Sequence, residues 1–292
     1  MTDSIRPWVM GARPRTLPAA VAPILAGTAV AALADSVQPL LVALCLLVAL
    51  ALQVGVNYAN DYSDGVRGTD DDRVGPTRLV ASGLASPGAV KTAAFLSFGA
   101  AGVAGLAIVV LIGQWWLLAL GLACILAGWF YTGGSKPYGY LGLGEIFVFV
   151  FFGLVATVGT GYVQTLSAPI HAWLSGAAVG ALASAILVAN NLRDIPTDTL
   201  SGKRTLAVRL GDGGTRRLFA GLCALAVLGV LGVAALTTWW ALLGLLGCAL
   251  LGGPLRLVLG GATGRALIPV IQATGFAEIG IGLGLLVGAL IA

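Results

Sequence analysis

Apolar runs long enough to cross a bilayer recur along this chain, among them 41–56 and 218–236, and they leave few folds open. In hydrocarbon every backbone N–H and C=O must be bonded within the protein, so spans are helices or a closed barrel. Barrel strands alternate apolar and polar residues with period two. These runs do not alternate. The predicted fold is therefore an all-α integral membrane bundle. Composition agrees. The chain is 58% hydrophobic and 10% charged, whereas a soluble domain carries about 25% charged residues.

A span needs about 20 apolar residues. The sequence predicts nine transmembrane helices in one bundle: 16–34, 38–58, 88–112, 115–132, 144–164, 171–191, 215–236, 238–259 and 268–290. The whole chain, 1–292, reads as a single transmembrane domain with cytoplasmic cap loops. The 16 basic residues lie in the N-terminal segment, or in or at the edge of the connections after spans 2, 4, 6 and 8. That is the positive-inside pattern, with the N-terminus in the cytoplasm. A wrong count would scramble the alternation. The net charge of +4 reports this orientation and implies no nucleic-acid partner. Pro18 and Pro23 interrupt the first span and further spans follow, which argues against a cleaved signal peptide.

Several chemistries are excluded early. Cys45, Cys124, Cys223 and Cys248 each sit in an apolar run without metal or disulfide spacing. His171 is the only histidine, which removes a His-ligated metal and a Ser/His/Asp triad.

Two polar clusters stand out, both after even-numbered spans. The first contains Gln53, Asn57, Asn60, Asp61 and Asp64, then Arg67 and Asp70-Asp71-Asp72. The second contains Asn190, Asn191, Arg193, Asp194 and Asp198. Asn60 and Asp64 echo Asn190 and Asp194 at a separation of 130 residues, so the chain reads as two pseudo-repeats with clusters at about 53–78 and 190–209. Gln53, Asn57, Asp61 and Asp64 are spaced for one helix face, as are Asn190, Asp194 and Asp198. Pro196 makes helix beyond Asp194 doubtful.

Carboxylates gathered at a membrane edge repel one another and lose hydration, so a bound cation is expected. The donors are all oxygen, and Mg²⁺ favours one or two carboxylates together with water and substrate phosphates. Asn60, Asp61, Asp64, Asp70, Asn190, Asp194 and Asp198 are the predicted metal ligands, with Asp61, Asp64, Asp194 and Asp198 the catalytic acids. Two such half-sites would hold a diphosphate through bridging Mg²⁺, two ions in all. Arg67, Arg73, Arg78, Lys136, Arg193, Lys203 and Arg204 would meet its oxygens. The plainer account is that these acids cap helix ends and pair with loop arginines. It serves for any one acid, and poorly for two matched clusters, because acids at the membrane edge are costly.

The motifs carrying these residues resemble the UbiA superfamily of intramembrane prenyltransferases. Within it, the chain is most similar to the polyprenyltransferases that act on 1,4-dihydroxy-2-naphthoate in menaquinone biosynthesis. The similarity lies in Asn60-Asp61-Tyr62-Ser63-Asp64, Arg73-Val74-Gly75-Pro76, Tyr131 to Tyr140, Asn190 to Asp198, and Gly202 to Gly211. The opening Arg13-Pro14-Arg15-Thr16-Leu17-Pro18 fits the same group. The resemblance implies a bacterial cell-membrane enzyme with its active site facing the cytoplasm. Its expected partners are polyprenyl diphosphate, 1,4-dihydroxy-2-naphthoate and membrane lipid, and its products demethylmenaquinone, CO₂ and diphosphate. Gln53, Asn57, Tyr131, Tyr138 and Tyr140 are the implied contacts to the aromatic or prenyl group, with Tyr58 and Tyr62 further candidates to face an allylic cation. Arg13 and Arg15 could meet the naphthoate carboxylate or the phosphates. The family pattern also has an acid four residues after Asp64. Here that residue is Gly68, and Asp70 is the expected substitute, with Asp71 and Asp72 beside it.

Other readings stand beside this one. Another UbiA-type acceptor is possible: 4-hydroxybenzoate, homogentisate, haem or a lipid phosphate. A cation-coupled transporter would use the acids as an ion path, with Glu278 as a proton site. A CDP-alcohol phosphotransferase would show one contiguous Asp motif rather than two. Glu145 reads as a favourable acid at a helix N-terminus, and Glu278 is expected to face the bundle interior.

Overall fold

The computed structural model describes residues 5–68 and 78–292, and all regular structure among them is helical. A short helix α1 (Arg6–Gly11) and a 3₁₀ turn (Pro14–Thr16) lead into α2 (Pro18–Ala32), bent by 50° from the segment before it. Pro18 opens α2, where its missing N–H breaks no helical bond. Then come α3 (Pro39–Arg67), α4 (Pro87–Ile112) and α5 (Leu117–Phe130). A 3₁₀ turn (Tyr138–Leu141) precedes α6 (Gly144–Val148), which continues through a π-helical stretch (Phe149–Val155) into α7 (Ala156–Thr165). The second half holds α8 (Ile170–Leu200), α9 (Leu206–Leu236), α10 (Leu245–Ala249), α11 (Gly252–Leu259) and α12 (Ile268–Ile291).

This is a multi-pass membrane protein. Among the described residues, six helical segments are long and apolar enough to cross a membrane, or up to eight if each of two bent pairs is one span. Each stretch predicted to span contains helix among the described residues. The one at 115–132 holds only the 14-residue α5, shorter than a full crossing. The hub is α8: in its most apolar window 72% of residues are buried, against 22% in α3. It packs on α9, α12, α2 and the π-helical stretch, while α3 pairs with α4.

Helices α3 and α8 are among those longer than a crossing requires. At about 1.5 Å per residue, the 29 residues of α3 and 31 of α8 exceed a hydrocarbon core of about 30 Å by about two to three turns. Their C-terminal ends are the two polar clusters. Contrary to the expected break, α8 continues through Pro196 to Leu200. Gly68 ends α3 as a left-handed cap at φ +68°, its N–H bonding to the Asp64 and Gly65 carbonyls. That conformation favours glycine, so the position where the family pattern has an acid is occupied here by a helix stop. Asp70, Asp71, Asp72 and Arg73 lie outside the described residues.

The π-helical stretch meets α8 glycine to glycine. A Cβ on Gly153 would lie 2.4 Å from the Gly180 Cα and 2.7 Å from the Gly176 carbonyl, both backbone that cannot yield. Nothing lies within 4 Å of a Cβ on Gly159, six residues further on in α7. Gly153→Ala is expected to cost about 1–3 kcal/mol through overpacking and to lower the thermal midpoint in detergent. Gly159→Ala should leave the midpoint unchanged or raise it, since alanine favours a helix interior over glycine. Equal midpoints for both variants would contradict this packing.

Candidate active site

The polar ends of α3 and α8 open onto one cavity of about 670 Å³. Its polar end is lined by Asn60, Asp64, Arg78, Asn190, Asn191, Arg193, Asp194, Asp198 and Lys203. The rest is largely apolar: Ala49, Leu52, Val56, Cys124, Phe147, Phe151, Phe152 and Ala156. A polar head and an oily tail would thus find matching surroundings in one space.

Asp64 is the centre of the polar end. It is buried, and two cations approach it: Arg78 Nη2 at 3.6 Å from Oδ2 and Lys203 Nζ at 3.6 Å from Oδ1. The Tyr140 hydroxyl donates to Oδ1. Lys203 also lies over the Tyr140 ring, 4.7 Å from its centre. Local geometry delivers that lysine. The turn after α8 is closed by the Lys203 N–H on the Asp198 carbonyl at 2.9 Å, and the Arg204 N–H bonds the Tyr140 carbonyl at 3.0 Å. On α8, Arg193 makes two 2.7 Å hydrogen bonds to the adjacent Asp194. The Thr205 hydroxyl approaches Asp198 Oδ2 at 3.5 Å. Asn60 Oδ1 accepts from Thr132 at 2.8 Å. Both clusters sit at helix C-termini, where the helix dipole favours cations.

Several expected residues lie elsewhere. Asp61 is fully buried and outside the cavity, and both its oxygens accept backbone N–H groups, from Leu79 and Val80. Helix geometry explains the placement of Asp61. At about 100° per residue, i+7 falls about 20° from position i and i+8 about 80° away. Counted from Gln53, the cavity face therefore takes Asn57, Asn60 and Asp64, and turns Asp61 aside. Arg67 is exposed and donates to the Thr132 and Gly134 carbonyls, with its guanidinium over the Tyr140 ring. Lys136 and Arg204 are exposed and do not line the cavity. Tyr58 donates to the Trp8 carbonyl at 2.8 Å, and Tyr62 stacks on Trp129; neither lines the cavity.

Gln53 and Asn57 do line it, but their amides also do structural work. Gln53 Nε2 and Asn57 Nδ2 both donate to Thr16 Oγ1 at 3.0 Å, and Asn57 donates to the Ala12 carbonyl at 2.9 Å. Thr16 in turn donates to the Arg13 carbonyl at 2.9 Å. Arg13 itself has a left-handed backbone, φ +52°, and lines the cavity. The N-terminal segment is thus tied down over the site by two residues of α3. Sequence patterning offered no sign of Thr16 as the shared acceptor.

Tyr131, Tyr138 and Tyr140 all face the cavity. Tyr131 meets Tyr138 edge-on at 5.5 Å, Tyr138 stacks on Phe147 at 4.0 Å, and Phe147 stacks on Phe151 at 5.9 Å. This aromatic row leads from the charged end toward the apolar end. Burial pushes the Tyr138 phenol above its usual range, and its hydroxyl donates to the Ala127 carbonyl at 2.7 Å. Glu145 lies in the first turn of α6, as expected, and has a further role. Its Oε1 accepts from Asn191 at 2.9 Å, so it steadies a cavity residue from behind.

A membrane bundle with two facing Asn/Asp clusters in one split cavity defines an intramembrane enzyme for an amphiphilic anion. The comparisons narrow that class. Residues 20–264 match the model of the UbiA prenyltransferase family, and the chain belongs to that family. It is 54% identical over 280 residues, 94% of each chain, to a Mycobacterium tuberculosis protein named 1,4-dihydroxy-2-naphthoate octaprenyltransferase. An Escherichia coli protein of the same name is 38% identical, covering 91% of this chain and 89% of its own. Among solved structures, a UbiA homolog from Archaeoglobus fulgidus bound to DMAPP and Mg²⁺ superposes with a TM-score of 0.65 at 16% identity, covering 94% of this chain and 99% of that one. A digeranylgeranylglyceryl phosphate synthase superposes at 0.68 over the full length of both, also at 16% identity. At that identity the two structures speak for the fold alone.

Thr16→Val would leave two amide donors without their shared acceptor, at a cost of about 1–3 kcal/mol. The expected result is faster proteolysis within the first 16 residues and a lower thermal midpoint. Wild-type values for both would show that the hydroxyl does not anchor the segment.

Proposed function

We propose that this chain transfers a polyprenyl group from polyprenyl diphosphate to 1,4-dihydroxy-2-naphthoate, with loss of CO₂ and diphosphate. The observation that carries the reading is the split cavity, with buried acids and cations at one end and an apolar, aromatic remainder. The names of the relatives at 54% and 38% identity specify the acceptor.

Asp64, Asp194 and Asp198, with the carboxamides of Asn60 and Asn190, form an all-oxygen donor set that fits Mg²⁺. We assign two ions to this set, one per cluster. When bound, Mg²⁺ neutralises the diphosphate oxygens and so favours its departure. Arg78, Arg193 and Lys203 line the same end and would receive the charge that develops on the leaving group. The allylic C–O bond breaks with its electron pair going to diphosphate. Ring electrons of the naphthoate form the new C–C bond, and the electrons of the C–CO₂ bond restore the aromatic ring. The product is demethylmenaquinone, formed as its quinol. Tyr131, Tyr138 and Phe147 present ring faces and edges to this path, where an allylic cation would be held away from water. The prenyl tail would lie along Val56, Phe151 and Phe152.

In orientation, we place the N-terminus and the mouth of the cavity on the cytoplasmic side of a bacterial cell membrane, by the distribution of basic residues. The chain then acts as one domain of nine spans, with α5 as a short fourth.

Membranes containing the protein, Mg²⁺, a polyprenyl diphosphate and carboxyl-labelled dihydroxynaphthoate should release labelled CO₂ and form a prenylated naphthoquinone. Asp64→Asn and Asp194→Asn should each lower turnover by about 10²-fold or more. Absence of labelled CO₂ with wild-type protein would reject the acceptor. Full turnover in both variants would reject the paired-cluster site.

A further inference from the structure

Asp61 lies beside the active cluster yet takes no part in lining it. It is 0% exposed, and neither oxygen faces the cavity. Oδ2 accepts the Leu79 N–H at 2.8 Å and Oδ1 the Val80 N–H at 3.1 Å. The residue immediately before this pair is Arg78, whose guanidinium lies 3.6 Å from Asp64. We propose that Asp61 is a positioning residue, which sets Arg78 against Asp64 by gripping the backbone of the two residues that follow Arg78, and that it is not a metal ligand.

The geometry gives the grip its leverage. Asp61 and Asp64 are three residues apart on α3, one pointing to the 78–80 turn and the other into the cavity. The same helical turn therefore fixes both the backbone anchor of Arg78 and the target of its charge. The turn is closed on its far side as well. The Ser82 N–H bonds the Arg78 carbonyl at 3.0 Å, and the Ala85 N–H bonds the Leu79 carbonyl at 3.1 Å. Leu79 is 1% exposed and wedged between α1 and α3: a Cβ on Gly11 would lie 2.6 Å from its Cδ1 and 3.0 Å from Tyr58. Arg78 thus enters the cavity from a backbone held by the Asp61 carboxylate below and a packed leucine beside it.

Charge strengthens the grip. A carboxylate accepting two backbone N–H groups makes charge-assisted bonds, stronger than those of a neutral acceptor. Asparagine cannot replace it, because one of its two positions becomes an NH₂ aimed at an N–H.

The proposal rests on the diphosphate site described above, and the test separates the two. Initial rates of purified Asp61→Asn, Arg78→Ala, Asp64→Asn and the double variant Asp61→Asn/Arg78→Ala are measured against prenyl diphosphate and against Mg²⁺. Asp61→Asn should raise KM for prenyl diphosphate about tenfold, the size expected within one coupled network. Its half-saturating Mg²⁺ should match wild type, while that of Asp64→Asn shifts. Adding Asp61→Asn to Arg78→Ala should change KM little further. A Mg²⁺ shift in Asp61→Asn like that of Asp64→Asn would overturn the proposal, as would full additivity with Arg78→Ala. A second readout needs no turnover. Amide hydrogen exchange at Leu79 and Val80 should be slow in wild type and at least tenfold faster in the variant; equal exchange would also overturn the proposal. Should Asp61→Asn fail to give monodisperse protein, Asp61→Ser, which keeps one acceptor, is read in the same two ways. Wild-type protein inactive on these substrates would count against the function alone, and the exchange result would still decide the role of Asp61.

Discussion

The buried carboxylate of Asp64, met by Arg78, Lys203 and the Tyr140 hydroxyl, is the contact on which the site depends. Stripping an ion of water inside a membrane bundle is expensive, and such a charge persists only when it is paired or bound to something. Among the described residues, partners of Asp64 come from three separate parts of the chain: the 78–80 turn, the 138–141 turn and the loop after α8. One charge thereby draws the loops together over the ends of α3 and α8. Asp194 meets the same problem with its neighbour Arg193. Cations arranged around acids also suit a ligand that brings both Mg²⁺ and phosphate oxygens. The acids would turn to the metal and the freed Arg and Lys groups to the diphosphate.

The scaffold serves this arrangement through length and close approach. Helices α3 and α8 outrun the hydrocarbon, so their polar last turns need not sit in lipid. Their apolar turns line the tail end of the same cavity, so one pair of helices supplies both halves. Gly153 and Gly180 let the π-helical stretch lie against α8. Toward the cavity, Phe147 of α6 joins Phe151 and Phe152 of that stretch in an aromatic wall.

Much of this was legible in the sequence. Apolar runs pointed to the bundle, and two matched Asn/Asp clusters pointed to residues that line one cavity, because both effects are set by residue type and short-range spacing. What was not legible depended on direction. Asp61 and Asn60 are adjacent, and a difference of one residue on a helix decides which faces the cavity. Arg67 was expected at the phosphates because of its charge, but the carbonyls at 132 and 134 claim it. The link from Thr16 to Gln53 and Asn57 joins segments about forty residues apart and has no local signature. Gly68 was read as a missing acid; its positive φ shows a helix stop that an acid would strain. Pro196 misled in the other direction, since α8 tolerates it near its end.

We propose that Asp64 and Asp194 would hold Mg²⁺ in place of their protein cations when diphosphate is bound. A non-reacting prenyl thiolodiphosphate, titrated calorimetrically into detergent-solubilised protein with and without Mg²⁺, tests this directly. Tight binding is expected only with Mg²⁺ present in wild type, with loss of that Mg²⁺ requirement in the double variant Asp64→Asn/Asp194→Asn. Equal affinity of wild type with and without Mg²⁺ would contradict it.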